Sequence, residues 1–298
     1  MSPRVSILIP AYNEAYFREA LASARAQKHD SFEIVVCDDS PGSAIEGWVA
    51  AERDPRVRYI RNRERLGFEG NFTECLRQAR GPLVKFLNDD DRLRPECIAH
   101  LAAALDADPR ITLATSRRDV IDEHGAPRAG LPATSPVSYV SCVTTGVELG
   151  DLVLINGLNL IGEPSTAMFR ARDVTLEAGG IFTWKAKPYH CLADLSLWLR
   201  LLSRGNAYYC ASALSEYRVH AGQEQRSGGM GIKCVTERLD LAEAAREEGF
   251  LRADAAYRNA LARVEMLAAA WRERVPVDAS QRATLDALSA TIAAKLAA

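Results

Sequence analysis

The feature that most restricts what this chain can become is an alternation of short apolar runs with helix-length segments. Residues 5–9 form an apolar run stopped by Pro10. Residues 32–37 form a second, stopped by Asp38, Asp39, Ser40, Pro41 and Gly42, and residues 57–60 and 83–87 form a third and a fourth. Residues 14–28, 43–53 and 69–80 lie between these runs with the spacing of helices, and 95–106 follow the fourth in the same way. Strands alternating with helices of about ten or more residues build βαβ units around a parallel sheet. Strands buried on both faces of such a sheet read as continuous apolar runs rather than as alternating ones. The pattern predicts an α/β, Rossmann-like fold with a mostly parallel sheet flanked by helices.

Composition narrows the partners. The chain has 298 residues, 37 Lys+Arg against 39 Asp+Glu, and 48% hydrophobic residues. A chain of this size buries about 75% of its unfolded surface, enough for a full core. Balanced charge argues against nucleic acid, whose binding depends on neutralising phosphates, and against disorder. The seven cysteines show no CxxC spacing. That excludes a zinc ribbon, argues against a disulfide framework, and favours reduced, mostly buried thiols. The N-terminal apolar run is too short for the core of a signal peptide, and no stretch approaches the ~20 apolar residues of a membrane span. A cytoplasmic location is expected, with peripheral contact at the inner membrane face left open.

Beyond residue 120 the pattern weakens. Gly125, Pro127, Gly130, Pro132 and Pro136 punctuate residues 120–160, which read as a loop or insertion facing a substrate. Helical spacing returns at 192–204, and a short strand is expected near 206–210. From about 232 the chain is rich in Ala, Leu, Glu and Arg without strand signals, and Pro276 divides it into two or more helices.

Two acidic clusters stand where strands end: Asp38-Asp39, and Asp89-Asp90-Asp91 after Asn88. In open α/β sheets ligands bind beyond the carboxyl ends of strands. A lone acidic pair there is ordinarily a turn or a helix cap. Three adjacent carboxylates repel one another unless a cation neutralises them, and Mg²⁺ typically takes one or two carboxylates plus phosphate oxygens. The simplest ligand is a metal-bound diphosphate.

In this order and spacing the residues resemble the family 2 glycosyltransferases of the GT-A, nucleotide-diphospho-sugar transferase fold. The resemblance covers roughly residues 4–225 and rests on 5–14, 35–40, 62–71 and 85–91. It implies transfer, with inversion, of a sugar from a nucleotide diphosphate-sugar donor to an acceptor hydroxyl, with Mn²⁺ or Mg²⁺ as cofactor. It assigns Pro10, Tyr12 and Glu14 to the base and ribose and Asp39 to the base, while Asp38 beside it reads as a turn cap. Asn62, Gly67 and Asn71 join the nucleotide-sugar set, Asp89 contacts ribose, and Asp90, then Asp91, bind the metal. Asn88 stands where the family usually has the first Asp of its acidic motif.

In the C-terminal half, residues 192–201 resemble the family's Glu-Asp segment at a helix start, with Ala193 in place of the Glu. Asp194 is then either the general base or a helix cap. Residues 216–220 match a Tyr-Arg-x-His element whose His220 completes the metal set. Residues 159–166 resemble a Gly-x-Pro-Ser segment in which Glu163 contacts the sugar or stabilises a turn. Trp184, Lys185 and Lys187 are candidates for the acceptor cleft. The Gly-rich stretch 223–231 reads as a lid or a plain linker, with Arg226 near the diphosphate.

The division expected from the resemblance is a catalytic domain at 1–231, made of a nucleotide-binding half (1–118) and an acceptor-binding half (119–231), and a helical extension at 232–298. The extension either packs on the catalytic domain or forms a homodimer or docking surface. The acceptor class stays open among carbohydrate, lipid-linked and protein acceptors, in polysaccharide or glycoconjugate synthesis. Rivals are weaker: a nucleotidyltransferase needs a Gly-rich basic loop after the first strand, and a dinucleotide-binding oxidoreductase needs GxGxxG there. An inactive glycosyltransferase-like scaffold remains the alternative, because of Asn88 and Ala193.

Overall fold

The computed structural model describes residues 2–222, 228–274 and 278–297. Its N-terminal half follows the alternation: β1 (Val5–Ala11), α1 (Glu14–Arg25), β2 (Phe32–Asp38), α2 (Ala44–Glu52), β3 (Val57–Arg61), α3 (Gly67–Gln78) and β4 (Leu83–Phe86), then β5 (Arg92–Leu93) and α4 (Cys97–Ala107). β1, β2 and β4 are buried at every position, whereas β3 is half-buried at the edge. β3, β2, β1 and β4 lie side by side and parallel. Their register sets Ala11 beside Asp38 and Asp38 beside Arg61, so the strand ends that carry the polar clusters share one rim.

The second half comprises β6 (Ile111–Ile121), β7 (Pro127–Arg128), β8 (Cys142–Thr145), α5 (Gly146–Asn156), β9 (Met168–Arg170), β10 (Thr183–Trp184), β11 (Lys187–Pro188), α6 (Ala193–Leu202) and β12 (Asn206–Arg218). The sheet continues in the order β4-β9-β6-β12-β5, with β9 antiparallel to both neighbours and β12 parallel to β6. β12 runs well past the short strand expected at 206–210. Its far end pairs Ser215 and Glu216 with β5, which delivers residues 216–220 to the acidic loop after β4. The irregular stretch 120–160 also holds a helix, α5. Thr145 Oγ1 accepts from the Glu148 N–H at 3.2 Å and Glu148 Oε2 accepts from the Thr145 N–H at 3.0 Å, a capping box that starts it.

Three further helices follow: α7 (Gly228–Glu247), α8 (Asp254–Arg274) and α9 (Ala279–Ala297). Leu241, Ala245, Phe250 and Leu251 are buried in one cluster with Trp198, Leu199 and Phe169. Gly150 of α5 lies so close to the Phe250 ring that a Cβ there would collide with it. A separate cluster of Val235, Leu261, Leu285 and Ile292 joins α7, α8 and α9. Among the described residues no helix is long and apolar enough to cross a membrane.

The cysteine expectation needs one correction. Cys191 and Cys234 form a disulfide with a Cα–Cα distance of 5.1 Å, and the other five thiols are free. Their separation of 43 positions carries no spacing signature, because folding of α7 against the segment before α6 is what brings the pair together.

Candidate active site

The site is assembled at the rim of β1, β2 and β4. Asp38 is wholly buried: Oδ1 accepts from the Ser40 N–H at 2.8 Å, and Oδ2 from Tyr59 Oη at 2.7 Å and Arg61 at 2.8 Å. Burial and the Asp38 charge push the Tyr59 phenol up to about 12. Asp39 accepts from Asn62 Nδ2 at 3.0 Å and from the N–H groups of Leu66 and Gly67, both at 2.8 Å. Its carboxylate therefore sits at the N-terminus of α3, where orphan amides and the helix dipole favour a negative charge. Gly67 has φ +73°, a left-handed conformation that glycine adopts without strain. Asn71, buried on α3, donates to Ala11 O at 3.3 Å and Cys37 O at 3.1 Å, and accepts from Asn62 at 3.0 Å. Asp39, Asn62, Gly67 and Asn71 thus form one network that ties α3 to the ends of β1 and β2.

Tyr12 lies open on this rim, 45% exposed, with the Arg65 guanidinium 4.7 Å from its ring centroid. Pro10 is buried within β1, and Glu14 opens α1 with its carboxylate against Gly42. Asp89 meets this loop, its Oδ2 accepting from the N–H groups of Tyr12 and Asn13, both at 2.6 Å. Burial and the neighbouring Asp90 charge push the Asp89 carboxyl up to about 7.

The other two acidic residues face different ways. Asp90 Oδ2 stands 3.1 Å from His220 Nε2. Asp91 is buried and turned inward: Oδ2 accepts from Ser165 Oγ at 2.6 Å and Asn88 Nδ2 at 3.2 Å, and Oδ1 from the Arg218 N–H at 2.9 Å. Burial and Asp90 push its carboxyl well above the usual range. Ser165 also accepts from the Asn88 N–H at 2.9 Å, and buried Lys85 donates to the Ser165 and Ala167 carbonyls. Among the described residues no group of three or more His, Cys, Asp or Glu side chains could hold a metal by itself. One carboxylate and one imidazole nevertheless suit a divalent cation that draws its remaining ligands from a diphosphate and water.

Asp194 lies in the first turn of α6. Oδ2 accepts from Asn159 Nδ2 at 2.8 Å, and Oδ1 from the Leu195 N–H at 2.7 Å. Burial first, and then the Glu163 charge, push its carboxyl up to about 7. Glu163 pairs with Arg118 of β6 at 2.7 Å. Arg118, which the motifs did not flag, is buried and also donates to the carbonyls of Ala133 at 2.7 Å and Asn159 at 3.0 Å. One short segment therefore touches both halves of the site, with Asn159 on Asp194 and Ser165 on Asp91. The seven residues of 159–165 extend no further than about 25 Å.

Trp184 is buried, while Lys187 is held by Asp240 of α7, and Lys185 by Glu247 at the end of α7 and by Glu248 just after it. Residues 223–227, including Arg226 and most of the Gly-rich stretch, lie outside the described residues, as does Pro276.

The family model described as Glycosyl transferase family 2 matches residues 6–145, the stretch that contains β1 to β4 and the acidic loop. The chain belongs to glycosyl transferase family 2. An uncharacterised protein of Mycobacterium tuberculosis is 34% identical over 227 residues, which are 74% of this chain and 69% of that protein. An uncharacterised glycosyltransferase of Rickettsia felis is 30% identical over 228 residues, 74% of this chain but 35% of its own length. Two solved structures share the architecture. TarS 1-349 of S. aureus in complex with UDP-GlcNAc aligns with a TM-score of 0.57 at 16% identity, covering 89% of this chain and 83% of its own. The mannosyltransferase PcManGT of Pyrobaculum calidifontis, in complex with GDP-Man and Mn²⁺, aligns at 0.56 and 18% identity, covering 100% and 81%. The fold of this family 2 glycosyltransferase is accordingly GT-A, with a C-terminal helical part.

Proposed function

We propose that the protein is a metal-dependent inverting glycosyltransferase that uses a nucleotide diphosphate-sugar donor. The observation that carries the reading is the 159–165 segment, which holds Asp194 at one end and the anchor of the acidic loop at the other. A carboxylate with a pKa near 7 is poised for general-base work at neutral pH. Asp194 would take the proton from the acceptor hydroxyl, which attacks the anomeric carbon from the face opposite the leaving group. Glu163, beside it, faces the sugar.

Asp90 and His220 would hold Mn²⁺ or Mg²⁺, which when bound supplies charge stabilisation for the leaving nucleoside diphosphate. Asp91 anchors their loop through Ser165 and Arg218. Tyr12, Glu14, Asp39 and Asp89 frame the nucleotide end, with Asn62, Gly67 and Asn71 fixing α3 behind them. The donors in the two structural relatives make UDP- and GDP-sugars the first to try. A role in polysaccharide or glycoconjugate synthesis fits family membership, and the catalytic unit we propose is residues 1–231.

The test is a thermal-shift panel of nucleotide sugars with and without Mn²⁺. A ligand stabilises the fold it binds, by about 2.7 kcal/mol at one hundred times its dissociation constant. One donor class should raise Tm only in the presence of the metal. Stabilisation of equal size without metal would remove metal dependence from the reading.

A further inference from the structure

The segment that leads into α6 is held by α7. Lys187 pairs with Asp240, and Lys185 with Glu247 and Glu248. Closer to α6 the contact reaches the backbone. Glu237, 4% exposed, accepts from the His190 N–H at 3.0 Å and 3.2 Å through its two oxygens, and from the Leu192 N–H at 2.9 Å. Leu192 is the N-terminal cap residue of α6 and has no side-chain oxygen to offer that turn. Donors at a helix start need acceptors from elsewhere, and a carboxylate placed there also meets the positive end of the helix dipole. Between the two bonded amides, Cys191 is joined to Cys234, three residues before Glu237 on α7. The His190 ring meets Glu69 of α3, so the same turn also touches the nucleotide half.

Asp194 lies two residues beyond Leu192. We propose that Glu237 is the positioning residue for Asp194: from the C-terminal helices it fixes the turn that presents the base, which extends the catalytic unit past residue 231 to take in α7. This rests on the reading of Asp194 as the base. The charged groups around Asp194 come from three elements: Glu163 from the segment before β9, Arg118 from β6, and Arg238 from α7. Burial and Arg263 push Arg238 down to about 10, while Asp194 holds it up. α7 thus reaches Asp194 through charge as well as through the backbone of its turn.

The experiment compares full-length wild type, Glu237→Ala, Glu237→Gln, Cys191→Ser and Asp194→Asn. Carbon-13 NMR of labelled aspartate carboxyls follows the Asp194 titration, with Asp194→Asn assigning the signal, and needs no substrate. Release of UDP from UDP-N-acetylglucosamine and of GDP from GDP-mannose, both with Mn²⁺, gives the kinetics. Glu237→Ala should move the Asp194 midpoint down towards the ordinary carboxylate range. It should also lower kcat about 10–100-fold, with donor KM within about two-fold, as expected for a misplaced base. Glu237→Gln keeps one acceptor oxygen and should lie between Ala and wild type. Cys191→Ser leaves the Glu237 bonds in place and should stay within about two-fold of wild type.

Equal midpoint shifts in the Gln and Ala variants would report only a lost charge and overturn the inference. So would a Cys191→Ser enzyme as impaired as Glu237→Ala, because the covalent tether would then set the turn. If Glu237→Ala does not fold, the Gln and Ser variants still decide. Wild-type activity in Asp194→Asn removes the base reading itself. Loss of activity in Asp194→Asn, with wild-type behaviour in both Glu237 variants, removes only the positioning role.

Discussion

The Asp90 carboxylate and the His220 imidazole meet at 3.1 Å across 130 residues of sequence. β12 produces the meeting: it pairs with β5 at Ser215 and Glu216, and His220 follows two residues after the strand ends at Arg218. Arg218 secures the junction by donating its N–H to Asp91 at 2.9 Å and its Nε to the Asp90 carbonyl at 2.7 Å. If this pair holds the cation, Asp90→Asn and His220→Ala should each weaken Mn²⁺-dependent binding of UDP-N-acetylglucosamine or GDP-mannose by about tenfold or more, roughly 1.4 kcal/mol. Isothermal titration calorimetry measures this, and affinity equal to wild type in both variants would exclude the pair as ligands.

The raised pKa of Asp194 fixes the sign of the pH response. If Asp194 is the base, its charged form is the active one, and that form dominates only above about 7. Turnover should therefore rise with pH through the neutral region and level off above it. For stability the same group acts in the other direction. A proton bound more tightly in the folded state favours folding below the ordinary carboxylate pKa, and that contribution is lost as pH rises through about 7. A pH–rate profile that is flat between pH 5.5 and 8 would count against Asp194 as the titrating base.

Glu163 and Arg118 pull Asp194 in opposite directions, since Glu163 raises its pKa and Arg118 lowers it. Glu163→Gln should move the acid limb of the rate profile to lower pH, and Arg118→Met should move it to higher pH. Arg118→Met also strips the partner from a half-buried Glu163 and should cost about 2 kcal/mol of stability. Limbs that move the same way in both variants would contradict the arrangement.

Asp38 reads from the sequence as a turn cap, and its surroundings give it a structural part. It is fully buried and engaged by Ser40, Tyr59 and Arg61. Asp38→Ala should lower stability by about 3 kcal/mol through the stranded partners, seen as a lower urea midpoint at unchanged slope. A loss of donor affinity without a loss of stability would instead make Asp38 a ligand contact.

The sheet core was legible because β1, β2 and β4 are buried on both faces and leave unbroken apolar runs, with Asp38, Asp39 and the Asn88 cluster marking their ends. β6 was harder to read, since Arg117, Arg118 and Asp119 interrupt it, and Arg118 points into the protein only because Glu163 and two carbonyls receive it. α5 had a readable start in Thr145 and Glu148, but the glycines and prolines before it drew attention to turns. Glu237 and the Cys191–Cys234 bond gave no local signal at all. Their meaning depends on where α7 docks, and docking is a long-range property that no window of sequence contains.

The most direct measurement compares donor binding and donor turnover in wild type and Asp194→Asn. The nucleotide sugar that stabilises the wild-type protein with Mn²⁺ is the probe, and release of its nucleoside diphosphate in the presence of acceptor is the readout. The account predicts that Asp194→Asn binds this donor within about two-fold of wild type while turnover falls by at least about 10²-fold, as expected for loss of a general base. Turnover near the wild-type rate in Asp194→Asn would contradict it.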